Sequence, residues 1–172
     1  MYYGKIKPYD IANGPGVRVS LFVSGCHNRC PGCFQPETWS FTYGKEFTLQ
    51  TLLQLDNMLG DPTISGLSIL GGDPFESENI EVVTAICQYV KEWYPEKTIW
   101  VWTGYSLEDV WEEKTLKYID VLVDGRFEQD KKDLRLKWRG SSNQRVIDIR
   151  KTFESGKVVL LEDGNEKNQI LI

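Results

Sequence analysis

A chain of 172 residues is long enough to bury one hydrophobic core, and its 41% apolar and 26% charged residues are ordinary for a soluble globular domain. A net charge of −5 excludes the broad phosphate neutralisation on which non-specific nucleic-acid binding rests. No apolar run is long enough to span a bilayer, and the first residues lack the apolar stretch of a signal peptide, so the expected location is the cytoplasm without membrane contact.

In chain order, Val17–Val23 is mostly apolar and rich in β-branched residues, which predicts a strand. Cys26, Cys30 and Cys33 follow it in a C-x3-C-x2-C run. Thr48 to Leu59 places Leu49, Leu52, Leu53, Leu55 and Leu59 at helical spacing, and Gly60-Asp61-Pro62 stops the helix. Leu67–Leu70 predicts a short strand, and Asn79 to Tyr94 a helix ended by Pro95. On that helix Ile80, Val83, Cys87 and Val90 share one stripe, so Cys87 is expected in the core as a small hydrophobe. Thr98–Thr103 predicts a strand that is bulky and apolar on both faces, as where helices cover both sides of a sheet. Ser106 to Asp109 has the form of a capping box with Asp in place of Glu, predicting a helix from near Leu107. Asp120–Val123 predicts another strand. Past Gly125 the pattern weakens, and Lys157–Leu161 and Gln169–Ile172, flanking a turn signal at Asp163 to Asn165, predict a terminal hairpin.

Strands alternating with helices imply βαβ crossovers and a mainly parallel sheet. About 150 residues is short for eight such units. The expected fold class is therefore α/β, a partial, open β/α barrel over residues 1–150 with a C-terminal extension over 151–172. The cysteine run, Gly71-Gly72-Asp73-Pro74, Thr103-Gly104-Tyr105 and Asp124-Gly125-Arg126 each follow a predicted strand. In a parallel sheet such loops meet on one rim, where sites assemble.

Three thiols that close can hold three corners of a metal cluster and leave a fourth open. In a chain read as cytosolic they favour metal over disulfide. Zinc takes four ligands in a structural site, or three and a water in a catalytic one. His27, the single histidine, adjoins Cys26, and adjacent side chains diverge, so it is read as a loop residue that binds nothing. A [4Fe–4S] cube matches three thiolates better, with Gly25 and Gly32 allowing close backbone approach. Gly-Gly-Asp-Pro alone is a βα turn. On the rim of a cluster site its glycines expose backbone groups and Asp73 can accept from an ammonium.

The cysteine run together with Gly71-Gly72-Asp73-Pro74 resembles the radical S-adenosylmethionine (SAM) superfamily. Asn13-Gly-Pro-Gly-Val-Arg18, Phe22-Val-Ser-Gly-Cys26, Cys30-Pro-Gly-Cys33, Pro36-Glu-Thr-Trp39, Val101-Trp-Thr-Gly-Tyr105, Val121-Leu-Val-Asp-Gly-Arg-Phe127 and Trp138-Arg-Gly-Ser-Ser-Asn-Gln144 narrow the resemblance to the activating proteins of anaerobic (class III) ribonucleotide reductases, over about residues 1–149. The resemblance implies the radical SAM type of partial barrel and one [4Fe–4S] cluster on Cys26, Cys30 and Cys33. It also implies SAM on the open iron, with Gly32, Cys33 and Phe34 nearest the cofactor. Gly71, Gly72 and Asp73 stand at the family's Gly-Gly-Glu position, which holds the methionine amino group. The implied activity is reductive cleavage of SAM to a 5′-deoxyadenosyl radical that takes hydrogen from a glycine of the anaerobic ribonucleoside-triphosphate reductase, its glycyl radical subunit. A flavodoxin or ferredoxin-type donor would supply the electron.

Two departures from the superfamily stand out. Gly32 precedes the third cysteine, where an aromatic is usual, leaving Phe34 as the candidate adenine contact, and Asp73 is one methylene shorter than Glu. With Cys87 the one spare cysteine, a single cluster without a ferredoxin-like insert is expected. The basic run Lys131 to Arg139 reads as a solvated face or as a docking surface for the reductase. Thr103 and Asn143 are candidates for SAM contact or for structural hydrogen bonds. The competing readings are a radical SAM enzyme for a small metabolite and a non-catalytic metal-binding module.

Overall fold

The computed structural model describes residues 1–161. In chain order the elements are β1 (Tyr2–Asp10), β2 (Val17–Val23), β3 (Lys45–Glu46), α1 (Leu49–Leu59), β4 (Ile64–Gly71), α2 (Ile80–Trp93), β5 (Thr98–Trp102), β6 (Val121–Asp124), β7 (Arg145–Asp148) and α3 (Ile149–Ser155). The strands form one open sheet in the order β3-β1-β2-β4-β5-β6-β7. β2, β4, β5 and β6 run parallel. β1 and β7 flank them antiparallel, and β3 pairs antiparallel with β1 at the outer edge. The expected α/β class and parallel centre are present within a mixed sheet. The antiparallel flank at β1 follows from its connection: residues 11–16 are too few for a crossover, so the chain must turn back on itself.

The helices form for the anticipated reasons. Thr48 caps α1 in a reciprocal box with Thr51. Pro95 lies just past the end of α2, and Val83, Cys87 and Val90 are buried on that helix. α3 starts at its Asp148 cap and closes on Gly156, whose φ of 66° favours a residue without Cβ. The predicted helix from Leu107 does not form. Its capping box is made, with Ser106 N donating to the Asp109 carboxylate at 3.0 Å. However, Leu107 N–H is drawn to Asp124 at 2.7 Å, and the segment continues in i→i+3 bonds to a 3-10 turn at Lys114–Lys117. Of the expected terminal hairpin, Leu160 makes an isolated bridge to Ile147. The Gln169–Ile172 strand lies outside the described residues.

Alternation along the strands divides the sheet into two unlike faces. Val19, Leu21, Val23, Leu67, Ile69 and Val101 join Leu55 and Leu59 of α1, Val83 and Cys87 of α2 and Ile149 of α3 in the main core. The opposite face presents Phe22, Leu70 and Trp102, with Trp100 packed on Val121, Val123 and Val146 in a smaller cluster that includes Trp138. Helices on both faces, expected from the Thr98–Trp102 pattern, are thus corrected. The bulky residues there pack on one another and on Trp138, with Trp100 and Trp138 ring centroids 4.9 Å apart. One sheet face remains the floor of a cleft.

Candidate metal centre

The cleft has a volume of about 640 Å³. Phe22, Leu70 and Trp102 lie on its floor, the three clustered cysteines at one end, and Phe127 and Trp138 along a side. Gly71, Gly72, Asp73, Thr103, Gly104 and Gly125 also line it, so the strand-end loops converge as expected. Cys26 and Cys30 are buried, Cys33 is half-buried, and all are free thiols. Burial, followed by the negative charge of Asp73, pushes the Cys26 thiol up to about 11. A metal that ligates it must displace that proton. Among the described residues, the trio with ligand atoms within 4.8 Å of one another is His27, Glu76 and Glu78; the cysteine sulfurs form no such tight group. One zinc ion would draw thiolates to about 3.8 Å from each other, given its bond length of about 2.3 Å. The wider spread suits the corners of a multi-iron cluster, so the donor set fits a cube with one corner left to a non-protein ligand.

The β4–α2 loop is packed against the cysteine loop. A Cβ on Gly71 would lie 2.6 Å from Val23 O, and one on Gly72 2.5 Å from Gly25 O. Gly72 N–H bonds to Val23 O and Asp73 N–H to Gly25 O. Asp73 is buried and its carboxylate is the hub of the site. Oδ1 accepts from Thr103 Oγ1 at 2.7 Å and Phe75 N at 3.0 Å, and Oδ2 from Gly104 N at 2.8 Å and Asn28 Nδ2 at 3.2 Å. Burial raises its pKa to about 6 against the pull of these donors. Thr103 is thereby a structural partner of Asp73. Asn143 donates to Arg126 O, while its Oδ1 is buried without a partner.

Gly32 has φ 71°, and a Cβ there would press on Gln129. Phe34, 58% exposed, stands beside Phe127 with ring centroids 5.2 Å apart and carries Lys132 Nζ 4.8 Å above its ring. Cys87 is fully buried away from the cleft, its thiol pushed up to about 12 by burial, as expected of a core residue. The His27 ring bonds to Glu76, which holds its pKa above the ordinary value.

Sequence reasoning missed Asn28, Glu76 and Trp138. Asn28 sits between cysteines, yet its partners are Asp73, Gly104 and Arg126. Trp138 adopts φ 61°, a left-handed backbone uncommon for a bulky residue, and its carbonyl accepts from Trp102 Nε1 at 2.6 Å. The recurrence of Trp100, Trp102 and Trp138 among few tryptophans was the available signal.

An open α/β sheet gathering three free cysteines into a cleft defines a single-cluster iron–sulfur domain, and residues 12–147 match the family described as 4Fe-4S single cluster domain. The chain is 44% identical over 146 residues to the anaerobic ribonucleoside-triphosphate reductase-activating protein of Enterobacteria phage T4, covering 85% of this chain and 93% of that one. Identity to the protein of that name from Escherichia coli K12 is 45% over 154 residues, 87% of this chain and 100% of the relative. The Pasteurella multocida protein of that name is 45% identical over 150 residues, 84% of this chain and 95% of the relative. The chain belongs to the family of anaerobic ribonucleoside-triphosphate reductase-activating proteins.

Proposed function

We propose that this protein is a radical SAM enzyme that installs a glycyl radical on the anaerobic ribonucleoside-triphosphate reductase. The observation that carries this reading is the cleft in which three free cysteines stand beside Gly71-Gly72-Asp73. One [4Fe–4S] cluster and one SAM, when bound, supply the reductive cleavage that yields a 5′-deoxyadenosyl radical able to take hydrogen from a glycine Cα. Cys26, Cys30 and Cys33 would hold the cluster. Gly71 and Gly72 would offer backbone carbonyls to the methionine ammonium, and Asp73, its oxygens committed to four chain donors, would shape that loop and add charge to that end of the cleft. Gly32 and Phe34 border the cofactor end, with the exposed Phe34 ring assigned to adenine. The apolar floor of Phe22, Leu70 and Trp102 keeps water from the reacting atoms.

Strand-end loops converging beside a sheet face that no helix of the described residues covers support the radical SAM type of partial barrel. The electron donor is assigned to the flavodoxin or ferredoxin class, and the site of action to the cytoplasm; no helix among the described residues is long and apolar enough to cross a membrane. Anaerobic reconstitution with iron and sulfide, reduction and addition of SAM tests the reading. 5′-Deoxyadenosine should form, and a glycyl doublet should appear in the EPR spectrum once the reductase is added. Cleavage without that doublet would redirect the proposal to another substrate, and no cleavage would defeat it.

A further inference from the structure

Glu76 is only 3% exposed, and its one ion-pair partner among the described residues is His27, the residue that follows Cys26. The two contacts differ in kind. His27 backbone N–H donates to Oε1 at 2.7 Å, and ring Nδ1 lies 2.7 Å from Oε2. A buried carboxylate costs free energy unless it is hydrogen-bonded. An exposed histidine ring alone offers little in return, its side chain being 61% exposed. The main-chain contact is the informative one, because it fixes the path of the loop between the first two cysteines.

Glu76 is itself fixed. Its carbonyl accepts from Asn79 N at 2.8 Å and Ile80 N at 2.9 Å at the start of α2, and Asn79 Nδ2 reaches Ser24 O at 2.9 Å. On the β5 loop, burial and then the nearby charge of Glu76 push the Tyr105 hydroxyl up to about 12. The His27 ring leans on Phe41, with centroids 4.7 Å apart. The start of the cysteine loop is thus gripped by Glu76 and Asn79, carried on the turn that leads into α2.

We propose that Glu76 is a positioning residue for the cluster: its two carboxylate oxygens hold His27 by main chain and ring, and so set the placement of the Cys26 thiolate. This rests on the reading of the three cysteines as cluster ligands, which iron and sulfide content of the reconstituted wild-type protein tests by itself. Glu76→Ala removes both arms. Glu76→Gln keeps an acceptor for the His27 N–H and a polar group for the ring.

The decisive measurement is the rate at which reconstituted protein releases iron to a chelator, with thermal unfolding of the metal-free forms alongside. Glu76→Ala should release iron about tenfold faster, the scale of one lost hydrogen bond. Glu76→Gln should stay within about twofold of wild type. Cys87→Ala, destabilised in the core, should lower the unfolding temperature without faster release. Wild-type release from Glu76→Ala, equal acceleration in Glu76→Gln, or equal acceleration in Cys87→Ala would each overturn the proposal. A wild-type protein that takes up no cluster would instead remove the reading on which it rests.

Discussion

At the scale of single residues, four cysteines separate into two kinds by what surrounds their sulfurs. Cys26, Cys30 and Cys33 lie on a loop at the end of the cleft, whereas Cys87 is enclosed between α2 and the sheet. Replacing any of the first three with Ala should abolish cluster-dependent 5′-deoxyadenosine formation and lower iron content after reconstitution. Cys87→Ala should keep both, and cost about 1–2 kcal/mol of stability for the small cavity it leaves, read by denaturant titration. Asp73 obeys a different logic. Truncation to Ala would strand donors from Asn28, Phe75, Thr103 and Gly104 in a buried site, at a cost of about 2–4 kcal/mol. An Asp73→Ala protein as stable as wild type would show that these bonds are dispensable. The cysteines could be read from sequence because their spacing is local. The hub at Asp73 could not, because its partners come from three loops far apart in the chain.

At the scale of elements, the parallel strands were legible because short, mostly apolar runs rich in β-branched residues mark them: Val17–Val23 coincides with β2. β1 and β7 were not. β1 runs through Lys5, Lys7 and Pro8 with only Tyr3 and Asp10 buried, so no apolar alternation marks it. β7 is four residues long. Polar chemistry holds the β1–β2 connection instead. Asp10 accepts from Lys7 Nζ at 2.7 Å, Ser20 Oγ at 2.7 Å, Ala12 N at 3.1 Å and Asn13, whose carbonyl in turn accepts from Ser68 Oγ at 2.6 Å. Ser68 Oγ also accepts from Arg18 Nε at 2.7 Å. Burial of Asp10 works against ionisation, but these donors outweigh it and bring the pKa down to about 2. A folded-state pKa below the ordinary 3.8 contributes stability that is present above that value and lost as pH falls from about 4 through 2. The stability difference between wild-type and Asp10→Asn metal-free protein should therefore shrink across that window and stay constant from pH 5 to 7. A constant difference down to pH 2 would show that the Asp10 charge is not what holds the turn.

At the scale of the whole molecule, the helices of the described residues pack on one face of the sheet, and the cleft opens on the other. The segment 131–139 borders that opening: Leu136 and Trp138 line the cleft, and Leu134 beside them is 83% exposed. The sequence shows this stretch as a run of cations, but the fold distinguishes among them. Lys131 is paired with Glu128 at 2.6 Å, Arg135 with Asp133 at 2.8 Å, and Lys132 lies over Phe34. Lys137 is exposed, without an ion pair among the described residues, between two residues that line the cleft. If the reductase docks over the cleft mouth, Lys137 and Leu134 carry the contact and Lys131 does not, since a cation already satisfied by a neighbour gains little from a new partner. Lys137→Gln should then weaken binding to the reductase about three- to tenfold in a titration at low salt, with the loss fading as added salt screens the charge. Leu134→Ser should weaken it at every salt concentration, because apolar contact is not screened. Lys131→Gln should bind as wild type. Equal losses from Lys131→Gln and Lys137→Gln would mean that net charge alone steers the encounter, and an unchanged affinity in all three variants would move the docking surface away from this side of the cleft.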